Sequence, residues 1–414
     1  MSDFFSLVKR LYQIISPPTP SKLAPEDGSN LKPIKFGILG AANIAPSALI
    51  IPAKSHPEVI IHAVAARDLK KAEQFGKKHG ISKVYGGNNA YQQLLDDPEV
   101  DAVYNPLPNK LHFGWTMKAL LAGKHVLCEK PMADTADEVR QMYDLAEKKG
   151  LVLLEAFHYR FHPAIQRVKT ILDSGELGKI KSIDSKLGIF AGFIKESDIR
   201  FDLDLGGGAM MDMGCYTLNS IRYLGSSNPT AVVSATPYPL KSANVLETKI
   251  DRAMDATLEL PNNVIASLEV DLYMPWGYFP PKLAKVVVEV KCEGGQVELT
   301  NFVGPTLWHK IQVTNKAGQT TSTRTEKVYK FADAHIDNGT ENPKNLSLGE
   351  DWWLTYRYQL EAFVDKLNGR TPQTWVTRED SVANMEWIEK IYEKAGIGSR
   401  PKDDYILPAA ESVE

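Results

Sequence analysis

From residue 34 onward, short apolar runs alternate with longer stretches in which apolar residues recur at helical spacing. The short runs have the length of buried strands, and they are residues 34–39, 60–66, 101–104, 125–128 and 151–155. The longer stretches predict helices, among them residues 69–78, 110–122 and 135–149. Such a series of strands and helices folds as a parallel, doubly wound sheet. We therefore predict an α/β domain over residues 34–158.

The pattern changes after Phe157. Between Ile180 and about Val313, apolar and polar residues alternate with a period of two, as in residues 255–260 and 264–270. That alternation is typical of an antiparallel sheet with one buried face. A helical pattern near residues 210–224 predicts a helix that covers one face of this sheet, and two more helices are predicted at residues 356–367 and 379–394. We predict a second, α+β domain over residues 159–414, built on a large, mostly antiparallel sheet.

The first 33 residues form a separate segment. Residues 4–15 are apolar but include Lys9 and Arg10, whereas a signal peptide needs an uncharged core. They predict a short amphipathic helix that packs on its own subunit, on a partner subunit or on a membrane surface. Residues 16–33 are rich in Pro, Ser and Lys, which is typical of an extended linker.

Composition excludes several classes of protein. The 414 residues exceed the size of about 250–300 residues at which single cores stop growing, so two domains are expected. A net charge of −3 and a pI near 6.3 give no basic surface for nucleic acid. Three scattered cysteines predict neither a disulfide framework nor a metal site. Without a leader or an apolar run of about 18 residues, the expected location is the cytoplasm.

A glycine-containing turn follows the first strand run. Its sequence, Gly40-Ala-Ala42-Asn43-Ile44-Ala45, is a Gly-x-Ala-x-x-Ala form of the dinucleotide-binding fingerprint. Gly40 permits the tight turn, Ala42 is small enough for backbone amides to approach a pyrophosphate, and Ala45 lets strand and helix pack closely. We predict a Rossmann NAD(P) site in which Gly40, Ala42, Asn43 and Ile44 contact the cofactor.

Arg67 stands at the end of the second strand run. NAD-binding sequences place an acidic residue there for the ribose 2′-hydroxyl, whereas an arginine can pair with a 2′-phosphate and stack on adenine. The alternative is an exposed Arg67 at a strand end, while Asp68 caps the following helix. We favour the first interpretation and predict NADP rather than NAD.

Three side chains carry the candidate chemistry. Lys130, in Glu129-Lys130-Pro131, closes a strand run and so lies at the carboxyl edge of the parallel sheet, where such folds bind ligands. Asp212 and Tyr216 are four residues apart in a helical pattern, which places them on one helix face. An ammonium, a carboxylate and a phenol can then converge on one small molecule. A solvated strand end and a helix-surface pair are the alternative interpretations.

Several motifs, in this order, resemble the Gfo/Idh/MocA family of NAD(P)-dependent oxidoreductases. They are the turn 40–45, Pro106-Leu-Pro-Asn109-x-x-His112, Glu129-Lys130-Pro131, the run 155–163 and Gly206-Gly-Gly-x-x-x-Asp212-x-Gly-x-Tyr216. Much of the family has His where Tyr216 stands. The tyrosine and Glu155-Ala-Phe-x-Tyr-Arg-Phe-His-Pro163 are similar to the branch of NADP-dependent D-xylose 1-dehydrogenases and dimeric dihydrodiol dehydrogenases.

The resemblance implies roles for further residues. Tyr216 is expected to be the general acid/base, with Lys130 favouring its phenolate and Asp212 orienting Lys130 or holding a second substrate hydroxyl. The expected cofactor contacts beyond the turn and Arg67 are Asn105, Pro106, Leu107, Asn109, His112, Glu129 and Lys130. The expected lining of a sugar pocket is Tyr159, Arg160, His162, Asp212 and Tyr216.

The implied function is an NADP-dependent sugar dehydrogenase that oxidises C1 of an aldose such as D-xylose. Alternatives are a trans-1,2-dihydrodiol dehydrogenase, a glucose-fructose-oxidoreductase-like enzyme that retains NADP, and a non-catalytic, cofactor-sensing regulator. The joint presence of Lys130 and Tyr216 argues against the regulator.

A homodimer through the outer face of the second sheet is also expected. Residues 286–290 are apolar on both faces apart from Glu289. An antiparallel sheet with one solvated face alternates instead, so a second subunit is the expected cover.

Overall fold

The computed structural model describes residues 2–19, 32–239, 249–274, 285–317, 320–331 and 349–408. Most of the predicted linker, residues 16–33, lies outside this part of the chain. The described residues form an N-terminal helix and two sheets with helices packed on them.

The first sheet has six parallel strands in the order β3-β2-β1-β4-β5-β6. They are β1 (Ile34–Leu39), β2 (Val59–Ala66), β3 (Lys83–Gly86), β4 (Ala102–Asn105), β5 (His125–Cys128) and β6 (Leu153–Glu155). The order reverses between β1 and β4, which is where such sheets bind dinucleotides. The predicted doubly wound sheet is confirmed, with β3 as an edge strand that the apolar pattern did not reveal.

Two helices of this domain, at residues 69–79 and 136–149, begin after residues whose side chains cap their first amides. The Asp68 carboxylate accepts from the Lys71 amide at 3.0 Å, and Thr135 and Glu138 cap each other's backbone. The helical segments are a π-helical turn (Pro46–Ile50) that continues as α2 (Ile51–Lys54), then α3 (Leu69–His79), α4 (Ala90–Leu95), α5 (Lys110–Leu121) and α6 (Ala136–Lys149).

The second sheet has eight strands in the order β14-β13-β12-β11-β7-β10-β9-β8. They are β7 (Ile180–Phe190), β8 (Ala231–Pro239), β9 (Asp251–Leu260), β10 (Val264–Met274), β11 (Val286–Cys292), β12 (Gly295–Thr300), β13 (Lys310–Ala317) and β14 (Thr320–Glu326). β7 and β10 are parallel, and the other neighbours are antiparallel. The predicted mostly antiparallel sheet is therefore confirmed.

Four further α-helices of the described residues follow the first sheet in the chain. They are α7 (Pro163–Asp173), α8 (Cys215–Leu224), α9 (Thr355–Leu367) and α10 (Arg378–Lys394). α8 packs on β7 and β10, whereas α9 returns to α2 and α10 packs on both α6 and α8. The buried apolar residues of both sheets form one continuous core. The division at residue 158 remains a prediction, because the C-terminal helices contact both halves.

Burial alternates along β11, the strand on which the dimer prediction rests. Val288 and Val290 are buried, whereas Val287 and Glu289 are only half-buried and point to the other face. Ion pairs cross that outer face, including Lys291–Asp184, Lys186–Glu269 and Arg252–Asp271. The premise of an apolar outer face was wrong, so the dimer stays a prediction without that support.

The N-terminal helix, α1 (Ser2–Ile15), packs on its own chain. The buried Arg10 donates from Nη2 to the Leu307 carbonyl oxygen at 3.2 Å, and its guanidinium lies 4.0 Å from the centre of the Tyr329 ring. Ile14 also packs against the core. Of the three alternatives, contact with its own subunit is therefore the one observed. Within the described ranges, no helix is long and apolar enough to cross a membrane.

Candidate functional site

A cavity of about 560 Å³ lies between the carboxyl edge of the first sheet and the second domain. Its size is that of a small-molecule site. The first domain lines it with Ile44, Ser47, Pro106, Leu107, Asn109, His112, Glu129 and Lys130. The later part of the chain adds, among others, the polar residues His158, Arg200, Asp212, Tyr216, Thr355 and Tyr356 and the apolar residues Leu187, Ile189, Met213, Val303, Leu307 and Leu354.

Lys130 follows β5 and points into this cavity. Its Nζ donates to the Asp212 backbone oxygen at 2.7 Å and to Asp212 Oδ1 at 3.0 Å. Burial lowers the pKa of Lys130, but the Asp212 charge outweighs it, so the pKa ends above its usual value. Lys130 is therefore a fixed cation. The structure brings Lys130, Asp212 and Tyr216 together, as the sequence analysis expected.

Asp212 lies on a π-helical turn, Met210–Gly214, that precedes α8. The predicted helical segment is present, with its first turn π-helical; turns of this kind are frequent at functional sites. Its second oxygen, Oδ2, accepts from Arg200 Nε at 2.8 Å. Although burial opposes it, the charges of Lys130 and Arg200 lower the pKa of Asp212 to about 2. Both carboxylate oxygens are thus engaged, which favours orientation of Lys130 over binding of a second substrate hydroxyl.

The Tyr216 hydroxyl is bound by His158, a residue that the sequence analysis passed over. Tyr216 Oη lies 2.8 Å from His158 Nε2, and His158 Nδ1 lies 2.8 Å from Thr355 Oγ1. The His158 ring is buried and stacks on Tyr356 with ring centres 4.0 Å apart. The available signal was its position just after β6, at the same sheet edge that pointed to Lys130.

Lys130 Nζ donates its hydrogen bonds to Asp212, whereas the Tyr216 hydroxyl contacts His158. The same Nζ lies over the Tyr216 ring, 4.9 Å from the ring centre. Burial raises the pKa of Tyr216 well above its ordinary value, and Tyr356 and Glu129 act in the same direction. The resting group is therefore a neutral phenol, and the expected stabilisation of the phenolate by Lys130 stays a prediction.

Three expected pocket residues lie outside the cavity lining. The Tyr159 hydroxyl donates to Asn219 Oδ1 at 2.6 Å, Arg160 pairs with Asp380 at 2.6 Å, and His162 caps α7 by accepting from the Ala164 amide. All three side chains are buried. The physical reason is the 3-10 turn His158–Phe161, in which consecutive side chains point in different directions. Only its first residue, His158, lines the cavity.

The predicted cofactor loop is held by buried amide and imidazole groups. Asn105 donates to the His112 backbone oxygen at 3.2 Å, and the His112 ring nitrogens contact the Leu107 and Pro131 carbonyl oxygens at 2.7 and 2.8 Å. These contacts fasten the loop 105–109 to the segment that carries Lys130. Asn105 and His112 thus act on the shape of the loop, although His112 also lines the cavity.

Five other residues predicted to contact the cofactor line the cavity. Ile44, Pro106, Leu107, Asn109 and Glu129 line it. Burial raises the pKa of Glu129, whose Oε1 accepts from the Tyr104 hydroxyl at 2.6 Å.

The turn after β1 fits a dinucleotide. Gly40 has a φ of 89°, which glycine adopts without strain. The helical segment that starts at Pro46 has no side-chain cap, and the Ser47 and Ala48 amides donate to the Ile44 carbonyl oxygen. The backbone of the turn 42–44 that precedes it is then the part that can approach a pyrophosphate. Ala42 is half-buried and Asn43 exposed on this turn. The residues present therefore fit the predicted cofactor site.

The structure shows the helix cap at the Arg67-Asp68 pair, whereas phosphate recognition by Arg67 stays a prediction. Asp68 caps α3, as the alternative stated. Arg67 is exposed, and its charge opposes the burial that raises the pKa of Tyr91, whose hydroxyl lies beside Gly40. Arg67 is thus close to the fingerprint turn, with its side chain hydrogen-bonded to Tyr91.

Comparisons with known proteins agree with this geometry. Residues 34–157 match the model of the oxidoreductase family with an NAD-binding Rossmann fold, and residues 165–298 match that of the GFO/IDH/MocA C-terminal domain. The chain is 33% identical over 366 residues to a D-xylose 1-dehydrogenase (NADP(+)) from Haloferax volcanii, covering 88% of this chain and 98% of that protein. It is 31% identical over 229 residues to a trans-1,2-dihydrobenzene-1,2-diol dehydrogenase from Xenopus tropicalis, covering 54% and 65%.

A solved structure shares the fold. It is that of a 3-ketoreductase from Actinomadura kijaniata in complex with NADP and TDP-benzene, with a TM-score of 0.70, 24% identity and coverage of 91% of this chain and all of that one. With the two family models and the relatives, the assignment is complete. This chain belongs to the Gfo/Idh/MocA family of oxidoreductases with an NAD-binding Rossmann domain.

Proposed function

We propose that the protein is an NADP-dependent oxidoreductase that acts on a CH–OH group of a sugar, with C1 of an aldose such as D-xylose as the reacting carbon. The observation that carries the proposal is the convergence of Lys130 and Tyr216 in one cavity beside the loop 105–109. The Haloferax volcanii relative, named as an NADP(+)-dependent D-xylose 1-dehydrogenase, supports the choice of sugar and cofactor.

NADP would be held by the turn 40–45 at its pyrophosphate, by Arg67 at its 2′-phosphate and by the loop 105–109 and Glu129 near its nicotinamide. When bound, it supplies the hydride acceptor for oxidation and the hydride donor for reduction. The exposed Arg67 and the fingerprint turn with Gly40 at a φ of 89° are the features of this chain that support NADP.

Side chains of this protein position the substrate, transfer the proton and exclude water. The Lys130 ammonium holds the substrate oxygen in place, and the ion pair with Asp212, itself held by Arg200, fixes the ammonium. Tyr216 passes the proton to or from that oxygen as general acid/base. The apolar side chains of Leu187, Ile189, Val303 and Leu354 reduce the access of water to the reacting atoms.

A trans-1,2-dihydrodiol dehydrogenase is the second candidate. It is favoured by the apolar and aromatic part of the lining, with Met213, Leu187 and Tyr356, which suits a ring that carries only two hydroxyls. The Xenopus tropicalis relative bears that activity in its name. A third candidate is an enzyme that retains NADP between turnovers. We further propose that the protein is a homodimer located in the cytoplasm.

Purified protein incubated with NADP or NAD and a panel of aldoses and trans-dihydrodiols tests these candidates. Formation of the reduced nicotinamide with D-xylose and NADP is the expected result, followed by appearance of the lactone. Turnover of the dihydrodiol alone would select the second candidate. NADP that stays with the protein through gel filtration and is reduced only once would identify the retained-cofactor enzyme. Absence of turnover with every pair would contradict the proposal.

A further inference from the structure

His158 is the group that fixes the Tyr216 hydroxyl, and no substrate contact is needed to explain its position. It sits at the start of the 3-10 turn after β6, buried, with Tyr216 Oη and Thr355 Oγ1 each 2.8 Å from one ring nitrogen. We propose that His158 takes the Tyr216 proton as Tyr216 takes the substrate proton, so that the two residues form a relay. The inference rests on the proposed function of this site.

The relay requires one of the two neutral tautomers of His158. A neutral imidazole has one N–H donor and one acceptor nitrogen. If Nδ1–H donates to Thr355 Oγ1, Nε2 is the acceptor and the Tyr216 phenol donates to it. The lone pairs of the phenol oxygen then remain available for the substrate hydroxyl. Tyr216 is thereby prepared to accept one proton while it releases another.

The relay conserves protons and electrons. The substrate C–H bond breaks with its electron pair, which leaves as hydride to the bound NADP, and the hydroxyl proton moves to the Tyr216 oxygen. The original phenol proton moves to His158 Nε2. The imidazolium then loses its Nδ1 proton to the Thr355 hydroxyl, which releases its own proton to water in the cavity that Thr355 lines.

The electrostatic surroundings agree with these roles. Burial lowers the pKa of His158 to about 3, and the charge of Lys130 acts in the same direction, so the resting ring is neutral. A weak base suffices here, because a substrate that has lost hydride carries its proton on a carbonyl oxygen, a far stronger acid than imidazolium. Tyr216, with its raised pKa, cannot release its proton to bulk solvent at neutral pH without a partner.

Substitution of His158 by glutamine separates a relay from a purely orienting contact. Glutamine keeps one donor and one acceptor but cannot take up a proton. We expect His158→Gln to lower kcat by about 100-fold, the scale of proton-transfer assistance, while KM and the NADP dissociation constant change by less than about threefold. The matched control is His79→Gln at the end of α3, outside the cavity, which should leave kcat unchanged. A kcat of His158→Gln near that of the wild type would overturn the relay.

A second measurement does not depend on turnover or on the stability of a variant. Nitrogen-15 NMR of the unsubstituted protein without cofactor reports the tautomer of His158, whose signal is identified by its absence in His158→Gln or, if that variant does not fold, by its shift in Tyr216→Phe. A proton on Nδ1 and none on Nε2 supports the relay, whereas a proton on Nε2 overturns it. If the wild type turns over no sugar or diol, the proposed function fails, and the tautomer still decides the hydrogen-bond direction.

Discussion

Replacement of Lys130 by methionine tests the centre of the proposed site. The side chain keeps its approximate length but loses the ammonium that donates to Asp212 at 2.7 and 3.0 Å. Loss of one preorganised donor to developing charge lowers kcat by about 100- to 1,000-fold in other enzymes. We expect a loss in this range for Lys130→Met, with a smaller change in NADP affinity.

The fold should survive this change. Removing one partner of a buried ion pair costs about 3–5 kcal/mol when the other charge is left alone. Here Asp212 keeps its contact with Arg200 at 2.8 Å, so the loss of unfolding free energy should stay below that range. Urea unfolding measures this quantity on the same samples that are used for kcat. The catalytic effect can then be separated from a loss of folded protein.

Lys169→Met is the matched control. Lys169 also pairs with an aspartate, Asp173, and its side chain is 18% exposed against 13% for Lys130, but it lies on α7 outside the cavity. It should keep the wild-type kcat. Loss of a donor to developing charge should lower kcat by more than about tenfold. A kcat of Lys130→Met within about tenfold of the wild type would therefore refute the role given to Lys130.

Three further predictions concern the cofactor, the assembly and the N-terminal helix. Arg67→Ala should reduce the preference for NADP over NAD in titrations of both cofactors, and an unchanged preference would make Arg67 a surface residue only. Light scattering should give twice the 46.0 kDa of one chain, and the mass of a single chain would contradict the dimer. Arg10→Ala should lower the unfolding free energy by about 2 kcal/mol, the scale of a hydrogen bond to a charged group. It should also raise KM, since Leu307 lines the cavity; an unchanged KM would separate α1 from the site.

The first domain could be predicted from the sequence because its elements are decided locally. Buried parallel strands are short and continuously apolar. The first and last residues of each predicted run therefore differ by at most two positions from those of the strand in the structure. Thr135 and Glu138 form their capping box within four residues of chain. Lys130 was found by the same logic, since the end of a strand fixes its place at the sheet edge.

The errors arose where distant parts of the chain decide the outcome. Arg160 is drawn to Asp380, 220 residues away, and Tyr159 to Asn219, so neither is available to the cavity. No local pattern contains those partners. His158 lines the cavity and Tyr159 does not, because successive side chains of the 3-10 turn point in different directions. The motif that contains both residues does not encode these directions.

One contact joins the two sides of the cavity directly. The Asn109 side-chain amide, in the loop expected to hold the cofactor, donates to the Gly206 backbone oxygen at 2.8 Å, and the same glycine-rich segment leads into the turn that carries Asp212. Under the proposed function, a cofactor that shifts this loop would also shift the segment that leads to Asp212. Thermodynamic linkage would make the effect reciprocal: any factor by which the cofactor changes substrate affinity equals the factor by which the substrate changes cofactor affinity.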